Sequence, residues 1–516
     1  MLMFLLAILP IIFLIIAFTG LKMPGHKACP LAMMITIIEA LFIWKQNSLD
    51  VMTGVLEGFV MAIWPICLVI IAAVFTYNLV VHTKNIEIIK DMLSSVSTDK
   101  RILVLIIAWG FGAFMEGMAG FGTAVAIPAG ILMGLGFEPV FAAMVCLVAN
   151  TTPVAFGSIG VPELTAATIA GLNSYDIAIY AILQTSIMSV LVPFMTVYMT
   201  GKASGKKGLE AFKGLWLITL MAGLSFTVSQ YITARFISSE LPSIIGSVVC
   251  MAVIVFLTKA LKINNPDFNI KTENSEKIVT EFNMKKAFVA WSPFIFVLLF
   301  LVFTSSLVPA INKPLASVKS SMMIYSGEGA TPYTFAWLST PGVQIIVAAF
   351  IGGLVQKCPV GEIVSVFFKT IKQMSKTIIT IMAVIATAKV MGYCGMIQVI
   401  ADFVVNITGT FYPFVAALLG SIGTFVTGSA TSSSVLFTKL QFSAATVLNM
   451  DPAWMVASNV IGSTAGKIIS PQSIAVATAA TGVVGKESEM LIGVLKYYLV
   501  FIIVYGLVTY FGVGMI

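Results

Sequence analysis

The chain has 516 residues, of which 59% are hydrophobic and only 10% charged, with a net charge of +7 and a mean hydropathy of +1.03. That composition excludes a soluble globular domain, and apolar runs of about 18 or more residues, recurring from end to end, predict transmembrane helices. The fold class expected is an all-α polytopic membrane protein in the lipid bilayer, and since the Lys and Arg residues gather in short loops, as topology alone requires, the positive surplus points to no nucleic acid partner.

In chain order, residues 1–19 lack a positive leading segment and a small-residue cleavage site, and read as a first span rather than a removed signal peptide. Spans follow at 31–44 and 52–82, then an amphipathic stretch, N-I-E-I-I-K-D-M-L-S-S-V, suited to the interface. Basic residues cluster at Lys22–Lys27, Lys84–Arg101, Lys202–Lys213, Lys259–Lys286 and Lys357–Lys376, which the positive-inside rule places in the cytoplasm. Connections near 45–51, 173–176 and 310–336 are poor in Lys and Arg and fit the outer side. Spans at 287–309, 337–356 and 377–396 then repeat the first series upside down, again followed by an amphipathic stretch, I-Q-V-I-A-D-F-V-V-N. Two inverted-topology repeats are expected, over 1–200 and 287–516, joined by connecting helices and a cytoplasmic loop over 201–286.

Within the first repeat, F-G-A-F-M-E-G-M-A-G-F-G-T (111–123) holds four glycines and one carboxylate between apolar arms. It predicts a re-entrant hairpin over about 102–136 with its tip at 117–122, since irregular backbone at that depth must be buried in protein or line a cavity. A helix over about 138–172 follows. Its stretch N-T-T-P-V-A-F-G-S-I-G-V-P, from Asn150 to Pro162, should break it, because Pro153 lacks an amide hydrogen and Gly157 and Gly160 permit unusual dihedrals. The second repeat offers a hairpin over about 411–449 with a hydroxyl-rich tip, T-G-S-A-T-S-S-S (427–434). A helix over about 452–484 comes next, interrupted by N-V-I-G-S-T-A-G-K-I-I-S-P, where Gly462, Gly466 and Pro471 should open it. The copies echo each other: G-A-F-M-E-G-M-A (112–119) matches G-T-F-V-T-G-S-A (423–430), L-G-F-E-P (135–139) matches L-N-M-D-P (448–452), and N-x6-G-x4-P completes both. Inverted repeats around one mid-membrane site are a device of secondary transporters.

Broken helices expose amide N–H groups at one half-helix end and carbonyls at the other, which suits an anion and a cation or proton together. The substrate-binding candidates are Gly120, Gly122 and Thr123 at the first tip and Asn150, Thr151, Thr152 and Gly157 at the first break. At the second tip they are Ser429, Thr431, Ser432, Ser433 and Ser434, and at the second break Asn459, Ser463, Lys467, Ser470 and Gln472. Ionisable residues at membrane depth are functional candidates by default. Glu116 is the first choice for proton coupling and Glu163 the second, with Lys389 and Lys467 available to pair with substrate or with those acids. A purely structural pair of Glu116 with Lys467 or Lys389 is the competing reading. Glu39 and Glu57 lie near span ends and are expected to snorkel to the interface. Six cysteines are scattered singly, and His26 and His82 sit in no metal-binding or nucleophile-activating pattern. No catalytic residue, cofactor or metal is expected, and the chain does not read as an enzyme.

The stretches G-A-F-M-E-G-M-A-G-F-G-T, A-N-T-T-P-V-A-F-G-S-I-G-V-P, T-G-S-A-T-S-S-S-V-L-F and S-N-V-I-G-S-T-A-G-K-I-I-S-P-Q-S-I-A-V-A-T-A-A-T-G-V-V-G-K-E resemble the lactate permease family, and the similarity runs over nearly the whole chain. The resemblance implies uptake of L-lactate, D-lactate and glycolate by proton symport across the bacterial cytoplasmic membrane. The hairpin and broken-helix plan also resembles a wider ion-transporter group of elevator-type carriers that includes divalent-anion sodium symporters, which leaves sodium coupling open. Where the family carries an acid in the second tip, G-S-D-T-S, this chain has Ala430, and it has Glu163 and Lys389 where the family has apolar residues. The leading expectation is a proton-coupled carrier of a small 2-hydroxymonocarboxylate. A sodium-coupled or uncoupled carrier, or a channel, for another small organic anion is the alternative; the oligomeric state is left open, a homodimer among the options.

Overall fold

The computed structural model describes residues 2–515 except 22, 121, 207, 264, 271–283, 306, 329, 484 and 485. Parts of three basic loops, Phe121 of the first expected tip and Val484 at the end of the second broken helix thus lie outside the described residues. Among the described residues ten helices are long and apolar enough to cross a membrane. Helix is what such sequences require, since it pairs each backbone polar group within its own segment. The chain is a polytopic helical membrane protein.

The N-terminal 20 residues do not form one span as expected. They split into Leu2–Ala7, Leu9–Ile15 and a wider turn over Ile16–Gly20, with Pro10 opening the second piece. The next helix starts earlier than 31, at Gly25 behind the extended Pro24, and runs to Phe42. Ser48–His82 forms a long helical span whose regular geometry is interrupted at Trp64, before Pro65.

Two helical hairpins are turned by glycine. The first joins Lys100–Met118 to Thr123–Gly134, with Gly120 and Gly122 at φ +59° and +85°. The second joins Tyr412–Thr427 to Ala430–Val447 through Gly428 at φ +71°. Each is followed by a broken helix that starts in the same way. Glu138 accepts the amides of Val140 and Phe141, and Asp451 those of Ala453 and Trp454; Pro139 and Pro452 open the helices behind these caps. Gly136 and Asn449, two residues before the caps, both have positive φ, +86° and +52°, in keeping with the residue types that tolerate it. The matched pentapeptides therefore share one local structure.

The breaks differ. Pro139–Ala149 gives way at Asn150 to a 3-10 turn over Thr152–Phe156; Ser158, Ile159 and Gly160 then adopt left-handed dihedrals, and the two limbs bend by 53°. In the second copy, Pro452–Ile469 is continuous and the only interruption is Ser470, extended at ψ 127°, before Pro471–Ala480. The expectation that Gly462 and Gly466 open this helix is corrected. A Cβ on Gly462 would lie 2.8 Å from Ala417 Cα and one on Gly466 3.0 Å from Ser421 Cα, so these glycines let the helix lie against Tyr412–Thr427 backbone to backbone.

The connection over 201–286 does more than join the halves. Trp216–Phe236 and Pro242–Leu261 form a pair whose turn, 237–241, packs on the first break: a Cβ on Gly160 would lie 2.8 Å from Glu240 Cα. Ser243 Oγ donates to Pro153 O at 3.1 Å. At the other end of the first hairpin, the fully buried Arg101 holds Asp99 at 2.7 Å, donates to the carbonyls of Ala211 and Lys213, and lies 3.6 Å over the Phe268 ring. Two short antiparallel strands, Lys319–Met322 and Tyr333–Ala336, anchor a segment whose buried Tyr325 stacks on Tyr393 at 3.7 Å.

Candidate functional site

The hairpin turns and helix breaks border an open cavity of about 860 Å³. Both turns contribute, through Glu116 and Gly122 and through Thr427–Ser432. Both breaks do as well, through Gly157, Ser158 and Pro162 and through Lys467 and Ser470–Ser473. His26 and the exposed Lys376 also lie on its wall.

At its inner end Glu116 Oε1 accepts from Lys467 Nζ at 2.6 Å, and Glu116 Oε2 accepts from Asn150 Nδ2 at 2.8 Å. The side chains of Glu116 and Lys467 are 3% and 13% exposed, so the pair is largely withdrawn from water yet borders the cavity. Three elements meet here: the first hairpin, the end of the first half-helix of the first break, and the last turn before the second break. Lys467 sits in that last turn because the helix runs on to Ile469, and a cation there also suits the helix C-terminus. Gly157 lies under the carboxylate, where a Cβ would stand 2.6 Å from Glu116 Oε1.

The sequence candidates fall into three groups. Glu116, Gly122, Gly157, Ser429, Thr431, Ser432, Lys467, Ser470 and Gln472 line the cavity. Asn150 and Thr151 line a small adjoining recess of about 10 Å³ that shares Gly122 and Lys467 with it. The remainder stand back from the cavity. Thr123 Oγ1 caps its own turn on Gly120 O at 2.7 Å, and Ser463 Oγ bonds to Val460 O at 2.6 Å. Ser433 Oγ bonds across the hairpin to Gly420 O at 2.6 Å. Thr431 to Ser434 lie in the first turn of a helix rather than in a loop, because Ser429 caps it by accepting the Ser432 amide. Asn459 donates to Ser433 O at 3.4 Å; its Oδ1, like the hydroxyls of Thr152, Ser434 and Ser470, has no hydrogen-bond partner among the described residues.

Glu163 is fully buried beyond the first break, and neither of its oxygens has a hydrogen-bond partner among the described residues. Lys389 does not reach Glu116. It pairs at 2.7 Å with Glu57, whose other oxygen accepts from Tyr393 at 2.8 Å. The expectation that Glu39 and Glu57 snorkel is corrected: they are 3% and 4% exposed, because their helices turn these faces toward protein. Ser158, Ser473, His26 and Lys376 were not legible as site residues. Ser158 lies within the break motif and holds Ala119 O at 2.8 Å, while the other three have no local sequence signal.

A cavity with hydroxyls and a buried ion pair in its wall, set among apolar spans, suits a multi-pass membrane transport protein. Residues 3–516 match the L-lactate permease family, and the chain belongs to that family, whose members are permeases and not enzymes, in the bacterial membrane. It is 44% identical to the L-lactate permease of Streptococcus iniae over 88% of this chain and 93% of that protein. It is 36% identical to the glycolate permease GlcA of Escherichia coli K12, over 98% of this chain and 94% of that one, and 34% identical to the L-lactate permease of the same strain, over 98% and 95%. Among solved structures it is similar to the Alcanivorax borkumensis YdaH transporter, with 13% identity and a TM-score of 0.48 over 87% of this chain and 85% of that one.

Proposed function

We propose that the chain imports lactate or a related small 2-hydroxymonocarboxylate such as glycolate together with a proton, by alternating access. The substrate class is taken from the relatives named for lactate and glycolate, acids that share a carboxylate beside a hydroxyl. The observation that carries the mechanism is the Glu116–Lys467 pair bordering the cavity. While Glu116 is ionised, its carboxylate occupies the Lys467 ammonium. A proton on Glu116 cancels that charge and frees the ammonium for the carboxylate of the substrate, so proton and anion each favour the binding of the other. The hydroxyls of Ser429, Thr431 and Ser432 and the amide of Gln472 supply donors and acceptors for the rest of the molecule. Glu163 is the second candidate for the proton, and Lys389, held by Glu57, acts apart from the coupling pair.

In this reading 1–200 and 287–516 are inverted repeats about the 201–286 connection, their hairpins are re-entrant, and hairpins and broken helices slide together as an elevator. The shared cap geometry of 135–139 and 448–452 supports the repeat, as does a glycine-turned hairpin before each broken helix. His26, in the first turn of Gly25–Phe42, and Lys376, within Val360–Tyr393, fall in basic clusters that the positive-inside rule assigns to the cytoplasm, so this state is read as inward-open.

The test is uptake of labelled L-lactate into proteoliposomes with pH and sodium gradients imposed separately. A pH gradient should drive accumulation and a sodium gradient alone should not. Glu116→Gln should abolish pH-driven accumulation while lactate counterflow persists, which also shows that the variant is folded. Accumulation driven by pH in Glu116→Gln as in the unmutated protein would sink the coupling assignment, and sodium-driven accumulation would replace the proton with sodium.

A further inference from the structure

Away from the cavity, three metal-ligating side chains from distant parts of the chain converge. His82 ends the long Ser48–His82 span, Cys358 follows the Pro341–Val355 helix, and Glu362 lies in the first turn of Val360–Tyr393. His82 Nε2 is 2.8 Å from Glu362 Oε2, Cys358 Sγ is 4.0 Å from the same oxygen, and all three ligand atoms lie within 4.8 Å of one another. An exposed His–Glu pair beside a cysteine packed in a core would by itself contribute little. Two features argue for more.

The first is the donor set. Thiolate, imidazole and carboxylate are the ligands zinc(II) takes, and metal–ligand bonds of about 2.0–2.3 Å put tetrahedral ligand atoms roughly 3.3–3.8 Å apart. The observed 2.8 and 4.0 Å bracket that spacing. Cys358 is 6% exposed, whereas the side chains of His82 and Glu362 are 40% and 55% exposed, so a thiol forms the floor and water can complete the coordination.

The second is the scaffold behind the donors. Thr83 Oγ1, next to His82, donates to Gln356 Oε1 at 2.6 Å and accepts from Asn85 Nδ2 at 3.0 Å. Gln356 Nε2 is in turn fixed on the carbonyls of Val289 and Ala290 at 3.2 and 3.0 Å. Lys357, at φ +61°, turns the chain back so that the Cys358 amide bonds to Gly353 O at 3.0 Å. The donors thus sit on backbone already fixed by hydrogen bonds, the preorganisation a metal site needs.

We propose that His82, Cys358 and Glu362 form a binding site for a thiophilic divalent cation, zinc(II) being the ion whose ligand preferences fit, which ties the end of one long span to the start of another. Both loops belong to basic clusters assigned to the cytoplasm, where the thiol stays reduced and available.

The experiment uses the purified, metal-free full-length protein with Zn²⁺ and Co²⁺ as probes. One zinc per chain should be held against a chromophoric chelator, and Co²⁺ should give a thiolate charge-transfer band with intense visible absorption. Cys358→Ser should abolish that band, and His82→Ala and Glu362→Gln should each weaken zinc binding at least about tenfold. All three variants should keep lactate uptake. In the unmutated protein, zinc should slow alkylation of Cys358 read by mass spectrometry, a measurement that needs no variant to fold. No zinc retained against the chelator, retention unchanged in Cys358→Ser, or alkylation of Cys358 unaffected by zinc would each overturn the site.

Discussion

The proposed coupling pair rests on a glycine. Gly157 has φ −64° and ψ 148°, which any residue adopts, so its lack of a side chain is not required by the backbone. It is required by Glu116, whose Oε1 occupies the space a Cβ would need. Gly157→Ala should therefore displace the carboxylate from Lys467 and Asn150, and pH-driven lactate uptake should fall at least about tenfold, equivalent to about 1.4 kcal/mol. Uptake at the unmutated level with the protein intact would show that the position of Glu116 is not critical. At this scale the sequence was half legible. An acid inside F-G-A-F-M-E-G-M-A-G-F-G-T announces itself, because no neighbour in the stretch can neutralise it. Its partner does not, because Lys467 is 351 residues away and Lys389 looked equally available. Glu57 was misjudged because hydropathy locates a residue along a span but not which way the helix faces.

Among the elements, the starts of the two broken helices are the part that sequence rendered best. L-G-F-E-P and L-N-M-D-P looked alike because they do the same work: a positive-φ residue, an acidic cap and a proline that needs no amide partner. Glu138→Ala and Asp451→Ala should each lower stability by about 0.5–2 kcal/mol, typically about 1. Thermal unfolding in detergent, read side by side, checks this; no shift in either variant would mean the caps are replaceable by water. The place of the second break was less legible. Glycine within a helical stretch reads as punctuation, yet in a tightly packed apolar bundle it also serves as the surface against which another backbone lies. Gly462 and Gly466 serve that second purpose, so the interruption moves on to Ser470 and carries Lys467 to the last turn beside the cavity.

For the whole molecule, hydropathy and basic loops made the spans legible, while long-range packing was not. Nothing local shows that 237–241 seats against the first break, or that Arg101 fixes the base of the first hairpin to residues 211 and 213 and to the ring of Phe268. These contacts join segments far apart in sequence, and only the packed bundle selects them. Together they brace the first break and the base of the first hairpin through a segment that looked like a linker.

The pairing of one acid with one base has a consequence for energetics across the bilayer. In the proposed cycle the empty site holds Glu116 and Lys467 with opposite charges, and the loaded site holds protonated Glu116 with Lys467 facing an anion. Each form sums to zero. A charge crossing the full field would feel about 2.3 kcal/mol per 100 mV, but neither form of this pair presents one. Lactate accumulation should then follow the pH difference alone and stay constant when a potassium diffusion potential is clamped at either sign. A current accompanying uptake would mean that a second proton or another ion travels with the substrate.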